Sequence, residues 1–109
     1  MWTHSNQEAV MKFLVKWSIN EEQWLPVLKV FSSMTPEQRA DTGDNVKLIG
    51  RWHETASKTG VAIMETTDLA ALDRYLNQWN PLMKVEVAPV LDDEETAALA
   101  KGVLADHNH

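Results

Sequence analysis

Between Met11 and Ser18 the chain alternates, with Met11, Phe13, Val15 and Trp17 on one side and Lys12, Leu14, Lys16 and Ser18 on the other. A period of two carried by aromatic and β-branched residues predicts a strand. Asn20, three residues before Gln23, has the spacing of a helix N-cap and its capping-box partner. Trp24, Leu25, Val27, Leu28, Val30 and Phe31 then recur at helical spacing. Pro26 lacks an N–H, so this helix is expected to kink or to start later than Asn20. Thr35-Pro36-Glu37-Gln38 marks a second, single-turn helix start.

The turn cluster Asp41-Thr42-Gly43-Asp44-Asn45 leads into two strand candidates, Val46–Glu54 and Val61–Thr66, joined by a hairpin loop over Thr55–Gly60. Thr67 is the expected cap of the next helix, with Asp68 in its first turn, where the macrodipole favours an acid. Its apolar stripe is Leu69, Leu72, Tyr75, Leu76 and Trp79, and Asn80-Pro81 ends it. Met83–Leu91 reads as a fourth strand. Asp92-Asp93-Glu94-Glu95 opens a terminal helix expected to reach about Ala105. The order β-α-β-β-α-β plus a C-terminal helix predicts an α+β, ferredoxin-like fold on a four-stranded antiparallel sheet. One domain is expected over residues 11–105, with an N-terminal appendage over 1–10 and a short tail over 106–109.

Composition narrows the functional classes. At 109 residues there is room for one core and no second domain. No apolar run approaches the ~18 residues of a membrane span, and MWTHSNQEAV lacks the pattern of a secretion signal, so a cytoplasmic protein without a membrane partner is expected. A formal charge of −6 disfavours nucleic acid, whose phosphates need clustered Lys and Arg. The absence of cysteine excludes disulfides and thiolate chemistry.

Two helices on one face of the sheet leave the other face to solvent or to a partner. Parity assigns Phe13, Val15, Trp17, Val46, Leu48, Trp52, Met83, Val85 and Val87 to the helix-covered face. The opposite face is then Lys12, Leu14, Lys16, Lys47, Ile49, Arg51, His53, Lys84, Glu86 and Ala88. The face taken by Glu65 depends on hairpin register.

Lys12-Phe13-Leu14-Val15-Lys16-Trp17, Gly50-Arg51-Trp52-His53, Glu65-Thr66-Thr67-Asp68, Trp79 and Val85-Glu86-Val87-Ala88-Pro89-Val90-Leu91 together resemble a family of short bacterial proteins of unknown function. That family lies in the dimeric α/β-barrel superfamily, and the resemblance spans about Met11 to Ala97. It implies a homodimer in which the free sheet face packs on a second copy to enclose a barrel. Relatives in the superfamily include cofactor-free monooxygenases, small-molecule isomerases and haem-handling enzymes, and fold analogy alone assigns none of these activities.

His53 is the foremost candidate acid or base, because imidazole titrates near neutrality and the strand end is an exposed position. Glu65 is a second catalytic candidate, to orient His53 or to act as base. Against both stands a plain His–Glu cross-strand pair that only steadies the sheet. Arg51 suits an anionic or carbonyl-bearing ligand through its planar fork, or else a salt bridge to Glu65 or Glu86. Trp52 and Trp17 are candidates for stacking on a flat ligand, with Met64 beside them, although Trp17, Trp24, Trp52 and Trp79 read mainly as core residues. Lys16 and Glu86 complete the expected binding set, with mutual pairing across strands as their plainer role. His53-Glu54 lacks the second His of a zinc-binding helix, and no Gly-rich phosphate loop is present. The expected function is a small-molecule enzyme or ligand-binding protein using a cleft between helices and sheet or between paired sheets. It would need no metal or cofactor, resemble an oxygenase or isomerase, and take a small apolar or aromatic ligand. Haem ligation by His53 is a third possibility. The alternative is a non-catalytic homodimeric interaction or regulatory module.

Overall fold

The computed structural model describes residues 9–107. Most of the expected appendage, including Trp2, and residues 108–109 lie outside them. The strands are β1 (Met11–Ser18), β2 (Val46–Glu54), β3 (Thr59–Thr66) and β4 (Lys84–Val90), and the helices are α1 (Glu21–Ser33), α2 (Pro36–Ala40), α3 (Leu69–Asn77) and α4 (Asp93–His107). The sheet order is β2-β3-β1-β4, every neighbouring pair antiparallel. The first crossover, carrying α1 and α2, passes over β3, and the second, carrying α3, passes over β1. This is the ferredoxin-like α+β arrangement with an added C-terminal helix.

Local chemistry sets the element ends. The Asn20 side chain accepts from the Gln23 N–H at 3.1 Å, so α1 starts where the cap predicts and runs through Pro26. Pro26 is exposed, so the hydrogen bond its missing N–H denies to the Glu22 carbonyl is lost at the surface. The short α2 has a complete capping box between Thr35 and Gln38. The cap of α3 is Asp68 and not Thr67. Its carboxylate accepts from the N–H groups of Ala70 and Ala71, while the buried Thr66 hydroxyl donates to the Asn45 carbonyl at 2.6 Å and takes the Asp68 N–H at 2.9 Å. β3 begins at Thr59, two residues before the expected Val61, so the hairpin loop shrinks to Thr55–Lys58, with Lys58 at φ +60°.

The core lies between the sheet and α3. Phe13 and Val15 of β1 and Ala62 and Met64 of β3 pack on Leu72 and Leu76, with Val27 of α1 also buried. Each of these side chains larger than alanine contributes ~1.5–3 kcal/mol on burial. Val87 lies opposite Val15 but stays exposed on the edge strand.

One irregularity decides the chemistry of the inner face. Leu48 pairs with Met64, yet it is Gly50, not Ile49, that pairs with Ile63. The extra residue is a β-bulge, and beyond it every side chain of β2 changes face. Arg51 (opposite Ala62) and His53 (opposite Gly60) therefore point to the helices, whereas Trp52 (opposite Val61) points outward and is 59% exposed. Parity assigned all three the other way. Gly50 makes the outward turn of Trp52 possible, because the indole lies over it where any Cβ would collide.

Candidate functional site

Between the helices and the inner sheet face lies a cavity of about 90 Å³. Its walls come from two helical stripes with i, i+3, i+4, i+7 spacing. Trp24, Val27, Leu28 and Phe31 line it from α1, and Tyr75, Leu76 and Trp79 from α3 and its end. The floor is Val15, Trp17, Met64 and Val85, and the polar groups that reach it are Arg51, His53, Tyr75, Thr55 and Thr59. An apolar cleft with a few convergent polar groups is the usual form of a small-molecule site.

The polar groups gather around the Phe31 ring. The His53 ring stands 4.9 Å from it and 5.7 Å from Trp17, the latter edge to face. The Arg51 guanidinium lies 5.7 Å from the same Phe31 ring and that of Arg39 5.6 Å. Arg51 donates to the Arg39 carbonyl at 3.0 Å and to the Tyr75 hydroxyl at 3.3 Å, which fixes its fork without consuming its charge. Among the described residues neither arginine makes an ion pair. No hydrogen bond of the described residues occupies a ring nitrogen of His53. Partial burial lowers the His53 pKa below 6.5, and the neighbouring Arg51 charge adds to that. The residue is nonetheless exposed overall, so its desolvation is only partial. Neutral imidazole can accept a proton, and its nitrogens are open to a ligand.

The bulge divides the expected constellation. Arg51, His53, Trp17 and Met64 line the cleft. Lys16, Trp52 and Glu86 instead line an open hollow of about 490 Å³ at one end of the outer sheet face, which His53 and Trp17 also border. Glu65 joins neither. It faces outward and pairs with Lys12 at 3.4 Å, and its strand partners are Lys12 and Lys47, at the opposite end of the sheet from His53. The His53–Glu65 pair is therefore not formed, either as catalytic dyad or as structural pair. Arg51 makes no bridge to Glu65 or Glu86, for both lie across the sheet. Lys16 lies directly opposite Glu86, but the ion pair of Glu86 is with Lys84, at 3.9 Å. Phe31 and Tyr75, which the helical stripes marked only as apolar, are the added members of the site. A cavity of this size does not accommodate a haem, well below the several hundred Å³ typical of ligand pockets. Among the described residues no cluster of three or more His, Asp or Glu is placed to hold a metal ion. None of their helices is long and apolar enough to cross a membrane.

The sequence profile of the family described as a domain of unknown function (DUF3303) matches residues 11–104, and the chain belongs to that family. A solved structure, that of Rv0793 from Mycobacterium tuberculosis, is similar at 15% identity and a TM-score of 0.46, covering 78% of this chain and 98% of its own. No curated protein matches the chain.

Proposed function

We propose that the cleft between α1, α3 and the inner sheet face binds a small, largely apolar molecule bearing a carbonyl or anionic group. The observation that carries this reading is the bulge at Leu48–Gly50, which brings Arg51 and His53 into an apolar cavity and holds the guanidinium on Tyr75 and the Arg39 carbonyl. The apolar walls take the body of the ligand, and Arg51 receives its oxygen. The chemistry suited to these groups is proton transfer. A C–H next to a carbonyl gives its proton to neutral His53, the electron pair moves to the oxygen, and Arg51 stabilises the enolate. Where the ligand carries a C=C bond conjugated with that enolate, return of the proton to the far carbon of the dienolate shifts the double bond and completes an isomerisation with no cofactor. The cavity admits only a small ring as it stands, so larger ligands would require α1 to move.

The five tryptophans provide the test. Indole N–H resonances are recorded while small aromatic ketones and carboxylates are titrated in. Trp17, Trp24 and Trp79 should shift, and Trp52, on the outer face, should stay. Arg51→Met should weaken binding by ten- to a hundredfold, the value of a charged hydrogen bond. Shifts confined to Trp52, or none with any compound of these classes, would overturn the assignment.

A further inference from the structure

One row of residues crosses the inner sheet face from His53 through Gly60 and Trp17 to Val85. Gly60 brings no side chain to that row, and the Trp17 indole takes the place. A Cβ on Gly60 would collide with ring atoms Cζ2, Cε2 and Nε1 of Trp17. A glycine inside a strand often marks such a close approach, and Gly60 has no positive φ that would require it for another reason.

A tryptophan that served the core alone would be buried among side chains. Trp17 is only half-buried and rests on bare backbone, with one edge towards His53 at 5.7 Å and part of its surface on the cleft. The Phe31 ring stands 4.9 Å from the same imidazole. Neither ring nitrogen of His53 is hydrogen-bonded among the described residues, so these two aromatic rings are what orient it. Trp17, His53 and Thr59 also border the open hollow at the sheet end, which makes the indole a partition between cleft and hollow.

We propose that Trp17 selects ligands of the cleft by size, and that Gly60 is a positioning residue that seats its indole beside His53. The selection rests on the cleft being the ligand site, whereas the seat does not. A side chain at Gly60 lifts the indole off the sheet and into the cleft. A smaller residue at position 17 opens the cleft towards the hollow. The two changes act on the same space in opposite directions.

Benzoate and 2-naphthoate, one ring and two fused rings with the same anionic group, are titrated by calorimetry into wild type, Trp17→Leu and Gly60→Ala. Wild type should prefer benzoate. Trp17→Leu should bind 2-naphthoate about tenfold tighter than wild type does, and Gly60→Ala should bind benzoate about tenfold more weakly. Thermal unfolding without ligand tests the seat. Gly60→Ala should lower Tm by roughly 4–8 °C in the wild type and by much less in the Trp17→Leu background, where the collision is gone. In Trp17→Leu the His53 pKa, followed by NMR of the imidazole, should lie nearer 6.5 than in wild type, because a desolvating ring is lost while Arg51 remains. Should Trp17→Leu not fold, Trp17→Phe carries the same expectations. Equal losses of Tm on Gly60→Ala in both backgrounds overturn the seat. Benzoate binding with an unchanged size preference in Trp17→Leu overturns the selection and leaves the cleft as a ligand site. Binding of neither compound to any of the three proteins overturns the selection together with the reading of the cleft beneath it.

Discussion

The imidazole of His53 stands against Phe31 with Trp17 at its edge, and the shape of this contact governs its charge. Desolvation first and the Arg51 charge second hold its pKa below 6.5. A base whose folded pKa lies below its unfolded value stays neutral in the fold while the unfolded chain takes up a proton. Stability is therefore intact above 6.5, falls as pH drops through that value, and levels off below the folded pKa. Denaturant unfolding of wild type and His53→Gln between about pH 8 and pH 4 should show this. The wild type should lose stability relative to the variant on acidification, and subtraction removes every contribution the two proteins share. Parallel curves would mean that His53 is not desolvated. The sequence singles out this residue but assigns it to the wrong face. Strict alternation along β2 puts His53 outward, and a single unpaired Ile49 reverses it. The signal was present in the sequence. An isolated glycine inside a strand, Gly50, preceded by two consecutive apolar residues, is the mark of a bulge.

At the scale of elements, alternation ordered the strands and stripes the two longer crossover helices, because each apolar pattern has one face to bury, while α2 and α4 were legible only from their helix-start signals. Ends were harder to read, since they depend on single hydrogen bonds. Thr67 and Asp68 are both good N-caps, and only the structure shows why the second prevails. The Thr66 hydroxyl holds the Asp68 N–H and leaves the Asp68 carboxylate aimed at Ala70 and Ala71. Phe31 and Tyr75 illustrate the same limit for the site. Their stripes showed that they face the sheet, but which polar groups they would meet depended on the bulge in another element. Asp68→Ala should cost about 1 kcal/mol, the usual value of an N-cap. Thr67→Ala should cost only a few tenths, within the range of a surface change. Thermal or denaturant unfolding distinguishes the two, and a larger loss at Thr67 would return the cap to that residue. The effect of Asp68 extends to the cleft as well, because α3 carries Tyr75, the hydrogen-bond partner of Arg51.

For the whole molecule, the radius of gyration of the Cα atoms is 17.3 Å, against roughly 13 Å for a compact domain of this length. The projecting α4 produces the excess. Sequence reading found this helix but not its isolation, since Leu99, Val103 and Leu104 have the spacing of residues that pack on something. The pattern shows that a partner surface is needed, not which chain supplies it. If a second copy does, the stability of α4 depends on protein concentration whereas that of the core does not. Amide hydrogen exchange separates the two. Amides of β1 and of Leu72, in the closed core, should exchange at a rate independent of dilution. Amides from Leu99 to Leu104 should be protected in concentrated solution and approach the rate of an unfolded chain once dilution separates the copies. The cap at Asp92 acts on the first turn alone and cannot by itself hold the remaining three turns closed. Protection of Leu99–Leu104 that persists unchanged on dilution would show a helix stable on its own chain, and the row of exposed apolar side chains would then need another explanation.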